Sequence, residues 1–186
     1  MLRVQTKSLF TCELNNMDIP ATYEQLEQPS RLSLWVGRPL SKKRLLRQAV
    51  GAQEVVMNIG SRSTNPFLAA LTNPTELERR KGRLSSSYPV VDKTGKRWLD
   101  SEAAYKAFKT GDTPHDERVI VGVIAAKLQQ HPELVAGIKE RGGRAFLERC
   151  DHLVGVRGRR WEGRGVESRF IRFLIATYDV ARRKGS

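Results

Sequence analysis

Three stretches of this chain repeat their apolar residues at helical spacing, and each needs a partner surface to cover the resulting stripe. Ala104, Tyr105 and Phe108 form one stripe, Val119, Ile120, Val123 and Ile124 a second, and Phe170, Ile171, Leu174, Ile175 and Tyr178 the longest. The second predicts a helix over 115–130, stopped by His131-Pro132, because a residue before proline is biased away from helical backbone. A short helix follows through Glu140 and ends at Gly142-Gly143. The third is a long C-terminal helix beginning near Val166. At 186 residues the chain can hold one self-sufficient core, since a domain of about 150 residues buries roughly 68 to 70 per cent of its unfolded surface.

The first stripe opens on Trp98-Leu99-Asp100-Ser101-Glu102. Asp100 or Ser101 can cap the helix by accepting a backbone N–H of its first turn. Glu102 then falls in that turn, where the partial positive charge of the helix N-terminus favours a carboxylate over a carboxylic acid. Two roles are open to Glu102: complementing the helix dipole, or acting as a base or cation stabiliser. Lys106 and Lys109 lie on other faces of the helix than the stripe.

A second dense segment, Gly158-Arg159-Arg160-Trp161-Glu162-Gly163-Arg164-Gly165-Val166-Glu167-Ser168-Arg169-Phe170, feeds the C-terminal helix. The glycines flanking Arg164 allow close approach to a ligand, and a helix N-terminus behind a glycine loop is an anion-binding geometry. Arg164 and Arg169 can grip a phosphate by bidentate hydrogen bonds. An ordinary turn with a solvated basic rim is the plainer alternative.

Taken in order, four pieces of the chain resemble the NADAR family, also called YbiA-like proteins, over roughly residues 58–181. They are Asn58-Ile59-Gly60-Ser61, then Leu71-Thr72-Asn73, then Trp98 with Ser101-Glu102 and Lys109, and finally Trp161-Glu162-Gly163-Arg164-Gly165 with Ser168-Arg169-Phe170. The resemblance implies a single compact α+β domain, mainly helical, over 57–186, and residues 1–56, in which no catalytic motif stands, read as an appended N-terminal extension. It implies an N-glycosidase that hydrolyses the N-glycosidic bond of a phosphorylated ribosyl or ADP-ribosyl compound. The substrate would be an early riboflavin-pathway intermediate or an ADP-ribosylated base. No metal or other cofactor is implied.

Carried over residue by residue, Glu102 matches the family's catalytic glutamate, Asn73 its site asparagine, Lys109 the lysine two turns on, and Trp161 the tryptophan of the last loop. Trp98, Glu162, Arg164, Ser168 and Arg169 complete the expected substrate-binding set. The chain departs from the pattern at Gly158, where some members carry an aspartate, and it lacks a tryptophan that some have in the middle helical region. Glu162 or Asp151 are candidates to replace that carboxylate.

The chemistry explains why such residues would be needed. Cleaving a ribose N-glycosidic bond passes through an oxocarbenium-like transition state, which a fixed carboxylate beside the anomeric carbon stabilises. The same carboxylate can orient or deprotonate the attacking water. Glu102 is the candidate for both roles, and Lys109 for protonating the leaving nitrogen. Trp161 would stack on a base, worth about 1 to 3 kcal/mol where measured in nucleic-acid sites, or else pack in the core.

Charge supplies a rival. The chain carries 33 Lys and Arg against 20 Asp and Glu, a net +13, and residues 139–186 hold 13 basic and 6 acidic side chains, over half of that excess. Such a face attracts phosphates, whether on a small nucleotide or ribosyl substrate or on RNA or DNA. The alternative to an enzyme is therefore a non-catalytic nucleotide, ADP-ribose or nucleic-acid binding module, and simple solubility is the blandest use of the charge. Cys12 and Cys150 have no paired spacing, and His115, His131 and His152 supply no metal-ligand set. Glu13 and Asp18 interrupt the first twenty residues, so no signal peptide is expected, and no run of about 18 apolar residues predicts a membrane span. The cytoplasm is the default compartment.

Elsewhere, Trp35 and Val36 suggest a short strand and Lys42–Val50 a brief basic helix within the extension. Residues 72–97, rich in turn formers and charge, read as a surface loop. Residues 145–150 and 152–156 read as short strands or extended segments.

Overall fold

Side-chain caps set most of the helix starts. Asn65 Oδ1 accepts from Phe67 N at 2.9 Å ahead of α1 (Pro66–Leu71), with Pro66 in the first turn where its missing N–H costs nothing. Asp100 Oδ1 accepts from Ala103 N at 2.8 Å and opens α3 (Ser101–Phe108), so the cap is Asp100 and not Ser101. Asp112 Oδ2 accepts from His115 N at 3.1 Å ahead of α4 (Thr113–Gln130), which begins two residues earlier than its apolar period predicts. His131 ends α4 and leads into α5 (Pro132–Glu140). There Gly143, at φ +64°, lets its N–H return to Ile138 O at 2.9 Å and close the helix.

The computed structural model describes residues 57–155 and 160–184. The expectations for residues 1–56, Arg157, Gly158 and Arg159 lie outside the described residues. Within them the fold is mainly helical, with four two-residue strands. β1 (Met57–Asn58) pairs in parallel with β4 (Cys150–Asp151), with Met57 opposite Cys150. The Asn58 side chain prolongs that ladder, donating to Leu153 O at 3.0 Å and accepting from Leu153 N at 2.8 Å.

Three segments differ from their sequence reading. The expected surface loop at 72–97 holds α2 (Thr75–Arg80) and an antiparallel hairpin of β2 (Val90–Val91) and β3 (Arg97–Trp98). Asp92 organises the hairpin, because its Oδ1 accepts from Thr94 N and Lys96 N and its Oδ2 from Trp98 Nε1. The stretch before Cys150 is a short helix, α6 (Arg144–Glu148), where extended chain was expected. Gly165–Glu167 forms a separate 3-10 turn, so α7 (Arg169–Lys184) starts later than Val166.

The core lies where α7 crosses α4. Phe170, Ile171 and Leu174 of α7 and Ile120, Val123 and Ile124 of α4 are all at most 2% exposed and belong to one apolar cluster. Leu134 and Ile138 of α5 and Leu147 of α6 extend it. Burying each such side chain is worth roughly 1.5 to 3 kcal/mol. One cation sits inside: Lys127 Nζ donates to Ala70 O and Thr72 O, both at 2.5 Å, and so closes the C-terminal end of α1. Burial pushes its ammonium down to about 7, against the opposing pull of the Asp100 carboxylate. Among the described residues no helix is long and apolar enough to cross a membrane.

Candidate active site

Asp100 does more than cap α3. Its Oδ2 accepts from Glu76 N at 2.9 Å, which ties the start of α2 to the start of α3. Beside this tie, Asn73 O accepts from Glu102 N at 3.2 Å. The turn after α1 and the first turn of α3 are thereby held together, and both Asn73 and Glu102 line a cavity of about 430 Å³. Asn73 is buried, and its side-chain Oδ1 has no hydrogen-bond partner. The Glu102 carboxylate meets Lys106 Nζ at 3.2 Å, one helical turn on. Lys106 therefore belongs to the cavity wall, not to an unrelated face. Lys109, just beyond the end of α3, also lines the cavity, with its Nζ 5.9 Å from the centre of the Tyr105 ring.

Arg160, Trp161 and Glu162 also line the cavity. The Trp161 indole meets Tyr105 and Phe173 edge-on at 6.5 and 5.8 Å, and the Arg160 guanidinium lies over it at 4.2 Å. Trp161 O accepts from Ser168 Oγ at 2.8 Å and from Phe170 N at 3.3 Å, so its main chain is pinned to the start of α7. Glu162 Oε1 accepts from Val154 N at 3.0 Å, which leaves one carboxylate oxygen for the cavity. Gly163 packs so closely that an added Cβ would lie 2.6 Å from Ser168 N, and a Cβ on Gly165 would lie 2.7 Å from Glu148 O. These glycines admit neighbouring protein backbone, not a ligand as expected.

Arg160 is held from below by Asp116, at 2.9 Å, and by Thr113 Oγ1 at 2.6 Å. Asp116 is 2% exposed and also accepts from Thr110 N at 2.8 Å and Gly111 N at 3.3 Å. Burial raises its carboxyl, but these N–H groups and the guanidinium outweigh burial and hold it below the usual carboxylate value. One carboxylate thus joins the turn next to Lys109 to the loop that carries Trp161.

Of the expected site residues, Glu102, Asn73, Lys109, Trp161 and Glu162 come together in the cavity. Trp98, Arg164, Ser168 and Arg169 do not line it. Trp98 donates to Asp92, carries Lys96 over its ring at 3.9 Å and packs on Phe108, so it belongs to the hairpin. Ser168 is fully buried, bonding Trp161 O and accepting from Ile171 N at 3.3 Å. Arg169 pairs with Glu117 at 2.7 Å, and Arg164 is exposed ahead of the 3-10 turn. The N–H groups of Phe170 and Ile171 in the first turn of α7 are taken by Trp161 O and Ser168 Oγ, so they do not serve the expected anion seat. Asp151 does not reach the cavity either, since its Oδ1 accepts from Gly165 N at 3.1 Å.

The sequence reading missed Asp116, His152 and the part played by Arg160. His115, His131 and His152 each place a ring nitrogen on a backbone carbonyl, of Phe108, Pro89 and Ile59 respectively. Burial pushes the Cys150 thiol up to about 12, so it is no nucleophile. Among the described residues no group of His, Cys, Asp and Glu could hold a metal ion. A larger groove of about 910 Å³ between α4, α5 and the end of α7 gathers basic and apolar side chains with no carboxylate, and none of the expected site residues. The smaller cavity has the chemistry.

Comparison of the chain with models of known families, with curated proteins and with solved structures finds no match in any of the three.

Proposed function

We propose that the chain is an N-glycosidase of NADAR-like fold that hydrolyses the N-glycosidic bond of a phosphorylated ribosyl or ADP-ribosyl compound at the Glu102 cavity. The observation that carries this reading is convergence. Glu102, Asn73, Lys109 and Trp161, picked out of separate stretches of sequence, line one cavity of about 430 Å³. That volume lies within the roughly 300 to 1,000 Å³ of small-ligand sites.

The composition of the wall suits the substrate class. Lys109, outside the Lys106–Glu102 and Arg160–Asp116 ion pairs, is the cation this cavity offers to a phosphate. Trp161 offers an aromatic surface to a base. In the proposed reaction, Glu102 stabilises positive charge developing at the anomeric carbon and orients a water toward it. The water adds to that carbon as the C–N bond breaks. The bonding pair leaves with the nitrogen, which is protonated by Lys109 or solvent. The proton lost by the water passes to Glu102 and then to bulk.

The test is release of free base or sugar from a panel of ADP-ribose conjugates and ribosylamine phosphates, followed by mass spectrometry for the parent and for Glu102→Gln. Release by the parent that falls by about 10² to 10³ in the variant is expected. No release from any compound, with nucleotide binding retained in both proteins, would move the reading to a non-catalytic binding module.

A further inference from the structure

His152 lines the same cavity, and both its ring and its main chain are held in place. Nδ1 lies 2.6 Å from Ile59 O. The ring stacks on Phe170 with centroids 4.3 Å apart and planes 23° from parallel. The main chain of His152 exchanges hydrogen bonds of 2.9 and 3.0 Å with Gly163, so the residue cannot slide along the wall. A carbonyl oxygen only accepts, so Nδ1 carries the hydrogen of that bond. In a neutral imidazole this leaves Nε2 as a lone-pair acceptor. Burial holds the ring below the ordinary histidine value, with the Ile59 carbonyl and the Glu162 carboxylate pulling the other way.

Nε2 has no hydrogen-bond partner among the described residues, and it is not one of the enclosed polar atoms left unpaired. In a residue that lines the cavity, it is the ring nitrogen left for a ligand. Asn73 Oδ1, buried and unpartnered, is a second acceptor in the same wall. The cations Lys106, Lys109 and Arg160 supply the wall's donors. Acceptors suit hydroxyl groups, whereas cations suit a phosphate.

We infer that His152 is a ligand-binding residue of this cavity, whose Nε2 accepts a hydrogen bond from a sugar hydroxyl of the substrate. The inference rests on the ribosyl reading above and adds the group that recognises the sugar.

The test uses the full chain with ADP-ribose and ribose 5-phosphate as probes, reading affinity by calorimetry and the imidazole by long-range ¹H–¹⁵N spectra. The parent is expected to show a protonated Nδ1 and a bare Nε2 whose resonance moves as the probe saturates. His152→Asn keeps an amide donor for Ile59 O and removes the outer acceptor, and it is expected to weaken binding about tenfold. His152→Gln, with an amide at the outer position, should recover part of that loss. A probe that binds while the Nε2 resonance stays still overturns the role of His152 and leaves the glycosidase reading standing. Failure of both probes to bind the parent overturns the ribosyl reading together with it. The spectra are taken on the parent, so a variant that fails to fold does not block the decision.

Discussion

Lys127 shows how the solvation of one side chain becomes measurable. Its folded ammonium is held at about 7 by burial, against 10.5 for an ordinary lysine. Between those values the unfolded chain binds a proton that the folded chain does not, so stability rises with pH across that window and is flat below it. Urea unfolding at pH 7 and near pH 9.5 should show the parent gaining about 2 to 3 kcal/mol relative to Lys127→Met. Equal pH dependence in the two proteins would mean that folding leaves the Lys127 ammonium at its ordinary value. Single residues were legible where a local pattern or the family resemblance named them, as for Glu102 and the Asp100 cap. His152 and Asp116 were not legible, because each acquires its role from a partner far along the chain: Ile59 lies 93 residues from His152, and Arg160 lies 44 from Asp116.

Among elements, the turn between α3 and α4 has an importance its length does not suggest. Asp116 satisfies two N–H groups of that turn and anchors Arg160 against Trp161. Asp116→Ala should lower stability by about 1 to 3 kcal/mol, as expected when buried N–H groups lose their acceptor. On the glycosidase reading it should also raise KM more than it lowers kcat, since Trp161 loses its backing while Glu102 stays in place. Chemical unfolding and steady-state kinetics check both halves, and an unchanged KM would mean that Arg160 holds its position without the carboxylate. The α4 and α7 helices were readable because each repeats its apolar residues over several turns. Thr75–Arg80 and Arg144–Glu148 were not, because helices of five and six residues are too short for a period to show. Their stability comes from packing more than from propensity.

Over the whole molecule, the C-terminal surplus of positive charge is partly absorbed by the fold. Arg144, Arg160, Arg169 and Arg182 each meet a carboxylate within 3.5 Å, and all but the Arg160–Asp116 pair, whose carboxylate is buried, are surface pairs that contribute about 0 to 1 kcal/mol to stability. On the glycosidase reading, ADP-ribose binding should weaken only modestly between low and physiological salt. A single-stranded oligonucleotide that depends on many phosphate contacts would instead lose affinity steeply. A steep slope for oligonucleotide, with little affinity for ADP-ribose, would favour the nucleic-acid module over the glycosidase.

The parallel pairing of β1 with β4 also sets an order of events. Asn58 and Leu153, joined by two hydrogen bonds, lie 95 residues apart. Ser61 and His152, flanking that junction, both line the cavity. As the chain leaves the ribosome, β1 emerges first and must wait while α1 to α6 are made. Contacts so distant in sequence form slowly, whereas the helices between them close through local ones. After dilution from denaturant, far-UV ellipticity should recover before Trp161 fluorescence, which reports closure of the cavity, does. A chain halted ahead of Cys150 would carry most of its helices and no complete cavity, because the two ends that enclose it meet last.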